Sequence, residues 1–219
     1  MISVVLPTLW RVEFKEQFEL LHDNDAVSEF ILINNDTTQT PDWVNSKKYK
    51  KLIEVKPHSN IFVNPAWNMG VRLASSNNIM LQSDDVICEN YNFLNEIDMY
   101  LDNEDCLIGV AKECYTNQND SMTSLQNISS KGRDWGFGCM MFFRKTTYRQ
   151  LPLEYKLWKG DDFLLDLYKH KKLNTYAING LKMHGTKVSA TLDLPEFNWK
   201  WSEVDNLNYD SFLQKYLES

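Results

Sequence analysis

The sequence predicts an α/β domain with a mostly parallel central sheet flanked by helices. Three observations lead to this. Short apolar runs alternate with longer stretches of helical spacing through the first half of the chain. The composition, 43% hydrophobic and 24% charged over 219 residues, is that of a globular protein with enough chain to bury a core, and it excludes wholesale disorder. The apolar runs close on polar residues, and in parallel α/β sheets ligands bind at the carboxyl ends of strands.

Ile2–Leu6 is a buried strand ahead of Pro7. Phe14, Phe18 and Leu21 then recur at helical spacing, with Glu13, Lys15, Glu16 and Glu19 on the other faces. Phe30–Ile33 is a second strand, ended by Asn34-Asn35-Asp36, and Leu52–Val55 a third. Asn64-Pro65 reads as an N-cap followed by proline at the first helical position, opening a helix with Trp67, Val71 and Ala74 on one face. Ile79–Leu81 is a fourth strand that runs into Ser83-Asp84-Asp85. A helix from about Asn92 to Leu101 and a strand over Cys106–Val110 follow. The polar stretch Tyr115–Arg133 is too long for a tight turn and is expected to be a loop, of the kind that serves as a lid. Cys139–Phe143 and Thr175–Ile178 are strands; between them Lys159-Gly160-Asp161-Asp162 leads into a helix through Phe163, Leu164 and Leu167. A last helix is expected near Tyr209–Leu217.

The net charge of −7 argues against a large phosphate-binding face. Two basic clusters, Lys47-Lys48-Tyr49-Lys50-Lys51 and Lys169-His170-Lys171-Lys172, read as solvated element ends. Cys88, Cys106, Cys114 and Cys139 form no C-x-x-C pair and are expected to be buried, reduced thiols. No apolar run approaches the ~18 residues that span a bilayer, and Met1–Leu6 lacks the basic flank of a signal peptide. The expected location is therefore the cytoplasm. No glycine-rich phosphate loop is present among only 8 glycines. A nucleotide here would need its phosphates held through a carboxylate-bound divalent metal.

Three groups could do such chemistry. Asp84-Asp85 closes an apolar strand, where adjacent carboxylates repel unless a cation or donor is supplied; Mg²⁺ and Mn²⁺ suit such oxygens. The plain alternative is a turn. Gly160-Asp161-Asp162 opens a helix, as simple caps or as a carboxylate placed to take a proton. His184, beside Gly185 and after a strand, is a structural histidine or a third metal ligand.

In this order the groups resemble a family. The run from Asn60 to Asp85 contains Pro65-Ala66-Trp67-Asn68-Met69-Gly70 and ends Gln82-Ser83-Asp84-Asp85, similar to the Asn-x-Gly helix and D-x-D strand of the family-2 glycosyltransferases with the GT-A fold. Val4-Val5-Leu6-Pro7-Thr8 resembles that family's first strand, and Ile31–Asp36 its second, whose terminal acid faces the nucleotide base. Gly138–Arg144 resembles the strand before the acceptor region, Gly160-Asp161-Asp162 the family's G-E-D, and His184 its late metal-binding histidine. The resemblance covers most of residues 2–190. It departs in two places: the first carboxylate of D-x-D is missing, and Asp161 stands where the family has Glu.

The resemblance implies a GT-A (nucleotide-diphospho-sugar transferase, Rossmann-like) domain over 1–219, with a nucleotide-sugar half at 1–110 and an acceptor half at 111–219. It implies metal-dependent transfer of a sugar from a nucleotide-diphosphate donor, a UDP-sugar, to an acceptor hydroxyl with inversion. Mn²⁺ or Mg²⁺ would sit on Asp84, Asp85 and His184; Thr8, Asp36, Asn68, Ser83 and Asp84 would bind the donor; Asp162 would be the base, with Asp161 as its substitute. Trp135, Trp158, Trp199 and Trp201 are candidate stacking surfaces for sugar or acceptor, or else core and edge packing. The acceptor would be a glycan or lipid-linked precursor. Abundant Asn and Lys with few Gly suggest an AT-rich bacterial or phage genome, and a phage-encoded enzyme could instead act on a hydroxylated DNA base. A sugar-phosphate nucleotidyltransferase would want a glycine-rich basic loop after the first strand, which Leu6–Arg11 is not. The remaining alternative is a GT-A-like nucleotide-binding or interaction protein without turnover.

Overall fold

The computed structural model describes residues 1–45, 47–116, 122, 124–132, 135–185 and 195–217. The elements in chain order are β1 (Ile2–Thr8), α1 (Lys15–His22), β2 (Val27–Asn34), β3 (Leu52–Val55), α2 (Val63–Leu73), β4 (Asn78–Gln82), β5 (Val86–Cys88), α3 (Leu94–Asn103), β6 (Cys106–Val110), β7 (Ser124–Asn127), β8 (Met140–Arg144), α4 (Gly160–His170), β9 (Asn174–Asn179), β10 (Met183–Gly185) and α5 (Pro195–Leu217). Among the described residues β1–β4 and β6–β9 form one eight-stranded sheet in the order β3-β2-β1-β4-β8-β6-β9-β7. It is mostly parallel: β1 pairs parallel with β2 and β4, β2 with β3, and β6 with β9. β8 enters antiparallel between β4 and β6, and β7 lies antiparallel on β9.

Both faces of the sheet are covered, which is why its strands read as unbroken apolar runs. Val4, Leu6, Phe30, Leu32 and Met80 point to the face packed by Phe14, by Phe18 and Leu21 of α1 and by Ile97 and Leu101 of α3. Val5, Ile31, Ile33, Ile79 and Leu81 point to the face packed by Trp67 and Val71 of α2 and by Phe163 and Leu164 of α4. Tyr209, Phe212 and Tyr216 of α5 pack onto this second layer. Gly70 lets α2 sit directly on β1: a Cβ there would stand 2.1 Å from Val5 Cγ1.

The four cysteines are free, and Cys88, Cys106 and Cys114 are buried. Burial pushes the Cys88 and Cys106 thiols up to about 12, so they stay protonated and unreactive. No helix among the described residues is long and apolar enough to cross a membrane.

The structure corrects several expectations. α2 begins at Val63, with Phe62 as its N-cap in a left-handed conformation (φ 68°). Asn64 and Pro65 are thus its second and third residues. Asn64 does not cap; its backbone N–H donates to Lys156 O (3.1 Å) and its Nδ2 to Trp158 O (2.9 Å). The polar stretch after Tyr115 contains the edge strand β7, exposed but registered on β9. The lid expected over Tyr115–Arg133 falls in part on 117–121, 123 and 133, outside the described residues. A small antiparallel ribbon of β5 and β10 was not foreseen. Nor was the length of α5, which starts at Pro195 rather than near Tyr209.

Candidate active site

The carboxyl ends of β1, β2 and β4 lie side by side, and their closing residues hydrogen-bond to one another. Thr8 Oγ1, at the end of β1, donates to Asp84 Oδ2 (2.7 Å) just beyond β4, and accepts from Trp10 N–H (2.9 Å). Trp10 is held in the left-handed region (φ 57°), which turns its indole toward β2, where Nε1 donates to Asn34 Oδ1 (2.8 Å). Asn34 is fully buried and its Nδ2 reaches Thr40 Oγ1 (2.8 Å) and Glu54 Oε1 (3.0 Å). Its Oδ1 also accepts from Asp36 N–H (3.1 Å). One amide thus sets the geometry of three strand ends. Neither Asn34 nor Trp10 was singled out from sequence; the signal available was a polar residue closing an apolar strand.

Asp36 lies beyond β2, as expected. Its carboxylate closes its own turn, accepting from Thr38 N–H (2.8 Å), Thr38 Oγ1 (2.6 Å) and Gln39 Nε2 (3.1 Å). Those hydrogen bonds, led by the Thr38 hydroxyl, hold it below the ordinary carboxylate range. Asn68 is another residue expected at the donor site. It is buried in α2, where Oδ1 accepts from Tyr148 Oη (2.7 Å) and Leu151 N–H (2.8 Å) and Nδ2 donates to Leu151 O (2.9 Å). It ties α2 to the segment after β8.

Asp84 and Asp85 follow β4 in half-buried positions. Desolvation pushes the Asp84 carboxyl up to about 7, opposed by the Thr8 hydrogen bond and reinforced by the Asp85 charge. Ser83 is fixed by its backbone N–H, which donates to Cys139 O (2.9 Å). Behind the pair stands Tyr115, whose hydroxyl is raised above its ordinary value by burial, by Cys139 and by the Asp85 charge. Trp135 packs edge-on against Tyr115 (4.8 Å) and is 66% exposed. Gly136 between them needs its left-handed backbone (φ 87°), since a Cβ would meet the Tyr115 ring at 2.5 Å.

The acidic N-terminus of α4 faces two ways. A Cβ on Gly138 would stand 2.5 Å from Asp161 Oδ2, so Asp161 lies against the backbone one residue before the carbonyl that holds Ser83. Asp162 pairs with Lys159 (3.3 Å) and lines a cleft of about 330 Å³ with Asp166, Lys131, Thr175 and Tyr209. Of the two, Asp161 is the one that lies beside Gly138, next in the chain to Cys139.

His184 sits exposed on β10, registered opposite Ile87. The β5–β10 ribbon brings its strand beside the segment that follows Asp85, with Gly185 opposite Val86. Yet no group of three or more His, Cys, Asp or Glu that could hold a metal ion occurs among the described residues. What the structure offers is an oxygen pair, Asp84–Asp85. Mg²⁺ and Mn²⁺ take one or two carboxylates and complete their shell with phosphate oxygens and water. Asp84 and Asp85 supply carboxylate oxygens of the kind such an ion takes, and by that chemistry they fit it. Among the tryptophans, Trp158 is 36% exposed, Trp201 packs on Phe62 (4.8 Å), and the Trp199 side chain lies outside the described residues.

The eight-stranded, mostly parallel sheet with helices on both faces is a GT-A fold. Among solved structures that share it, S. aureus TarS residues 1–349 superposes with a TM-score of 0.63 at 13% identity, covering 84% of this chain and 60% of that one. S. aureus TarS 1–349 in complex with UDP gives a TM-score of 0.58 at 15% identity, covering 90% and 62%. At this identity the likeness is one of fold. The chain spans about three fifths of the length of these structures. No family model and no curated protein sequence matches it.

Proposed function

We propose that the chain is a glycosyltransferase that moves a sugar from a UDP-sugar to an acceptor hydroxyl. The observation that supports this most is the hydrogen bond that ties Thr8, at the end of β1, to Asp84, just beyond β4, in a fold shared with a structure that contains UDP. In this reading Trp10, Asn34 and Asp36 shape the base side of the donor site. Asp84 and Asp85 would hold a divalent cation, which when bound offsets the charge of the leaving diphosphate. A carboxylate at the start of α4 takes the proton of the acceptor hydroxyl as that oxygen attacks the anomeric carbon. The C1–O bond to the diphosphate breaks as the new C1–O bond forms, with inversion. Contact with Gly138 favours Asp161 for this role; the family resemblance favours Asp162. The acidic chain suits a glycan or lipid-linked acceptor in the cytoplasm better than DNA.

The test is UDP release from UDP-sugars with Mn²⁺, together with calorimetric UDP binding. Asp161→Asn is expected to lower turnover by about 10²–10⁴-fold, the range of a general base, and to leave UDP affinity unchanged. Asp162→Asn should cost less than about 10-fold; the reverse order would assign the base to Asp162. Absence of UDP binding and of donor turnover would overturn the proposal. One observation favours the reading without turnover: Gln82 replaces the first motif carboxylate, and its Nε2 is spent on Ser83 O (3.0 Å) and Val86 O (3.2 Å). UDP binding with no turnover in any variant would select it.

A further inference from the structure

α5 reaches the start of α4 through one buried carboxylate. Asp205 is fully buried and accepts from three consecutive backbone amides: Lys156 (3.0 and 3.2 Å to its two oxygens), Leu157 (3.0 Å) and Trp158 (2.8 Å). Such convergent amides form an anion-binding nest, and hydrogen bonds to an ionised acceptor are the strong ones.

The same turn is held from its other side by α2. Lys156 O accepts from Asn64 N–H and Trp158 O from Asn64 Nδ2. The chain then passes through Lys159, in the left-handed region (φ 66°), to Gly160, where a Cβ would meet Asn64 Oδ1 at 2.2 Å. Asp161 and Asp162 follow at once. The turn thus has its donors satisfied by α5 and its acceptors by α2, and it leaves no slack before the two carboxylates. Lys159 adds a second tie, its Nζ lying over the Tyr209 ring (5.1 Å) while pairing with Asp162. If α5 undocked, three amides and Asp205 would all turn to water, and the turn would be held on one side only.

We propose that Asp205 is a positioning residue: by gathering the amides of Lys156–Trp158 it fixes the start of α4, and so makes docking of α5 a condition for correct placement of Asp161 and Asp162. This rests on the transferase reading for its consequence but not for its geometry. The experiment combines amide exchange by NMR with donor turnover, in wild type, Asp205→Asn and Asp205→Ala. In wild type the amides of Lys156, Leu157 and Trp158 should exchange about as slowly as those of β1, although they lie outside regular structure. In Asp205→Ala they should exchange at least ~100-fold faster, and those of Asp162 and Phe163 at least ~10-fold faster, with β1 and β4 unchanged. Turnover should fall at least ~10-fold through kcat, with UDP affinity within about two-fold. Asp205→Asn, which keeps one acceptor oxygen, should fall between.

Fast exchange of the three amides in wild type overturns the proposal. So does an Ala variant whose Asp162 and Phe163 amides stay as protected as in wild type. If Ala does not fold, the wild-type exchange and the Asn variant decide. If exchange changes as expected while no protein turns over any sugar donor, the transferase reading fails and the clasp stands.

Discussion

Glu29, on β2, is buried, and its Oε1 accepts from Ser3 Oγ, Ser75 N–H (2.6 Å) and Ser75 Oγ (2.8 Å). Burial alone would raise its pKa; the hydrogen bonds from Ser3, Ser75 and Ser76 overcome that and hold it below 4.5. A carboxyl depressed in the folded state contributes stability that is fully present above its unfolded pKa and is lost as pH falls through the folded one. Glu29→Gln keeps an acceptor but not the charge. It is therefore expected to cost about 1 kcal/mol at pH 7, or roughly 2–4 °C in Tm, and progressively less below pH ~4.5. Calorimetry of both proteins from pH 7 to pH 3 measures this; a constant difference would show that the charge contributes nothing. Glu29 was not legible in the sequence, and neither were Asn34 and Asp205. Their distant partners, Glu54 for Asn34, Ser75 for Glu29 and Lys156 for Asp205, lie 20 to 49 residues away, and a local pattern holds no trace of them. Asp84, Asp85, Asp161 and Asp162 were legible because they end or begin elements whose apolar periodicity marks the boundary.

At the scale of elements, α2 is pinned at its start and at its middle. Asn64 joins its first turn to the segment before α4, and Asn68 joins its middle to the segment after β8. Asn68→Ala would leave Leu151 N–H and Leu151 O without their partner inside the protein. The expected cost is about 2–4 kcal/mol in urea unfolding. UDP affinity of the folded protein should stay within about two-fold, because Asn68 faces the protein. A large loss of UDP affinity without loss of stability would place Asn68 in the donor site. The strands that run through the core, β1, β2, β4, β6 and β8, could be read from the sequence because burial on both faces demands continuous apolar runs. β7 could not. Ser124–Asn127 is polar and exposed, and is a strand only because β9 offers it an edge. α5 was foreseen only from Tyr209 onward for a related reason. Its aromatic anchors, Tyr209, Phe212 and Tyr216, give a local pattern, whereas its earlier turns dock through Asp205 and Trp201, two contacts too few to show a periodicity.

At the scale of the whole molecule, the charge balance sets a condition on the ligand. The chain carries −7, and Asp84 and Asp85 stand together at the strand ends. A nucleoside diphosphate brought there alone meets only like charge from these groups, and no glycine-rich loop supplies amides in their place. Binding of UDP should then require a divalent cation. With Mn²⁺, UDP at ~100 times its dissociation constant is expected to stabilise the protein by ~2.7 kcal/mol, or roughly 5–10 °C in Tm. The shift should vanish in EDTA, and it should vanish with Mn²⁺ present in the Asp84→Asn/Asp85→Asn double variant. The double variant without ligand should be no less stable than wild type at pH 8, because it removes two crowded carboxylates, one of them held high by burial. Thermal unfolding with and without metal and nucleotide measures all four conditions. An equal UDP shift in EDTA would mean that the acidic pair is not what anchors the diphosphate, and the donor site would have to be sought elsewhere along the strand ends.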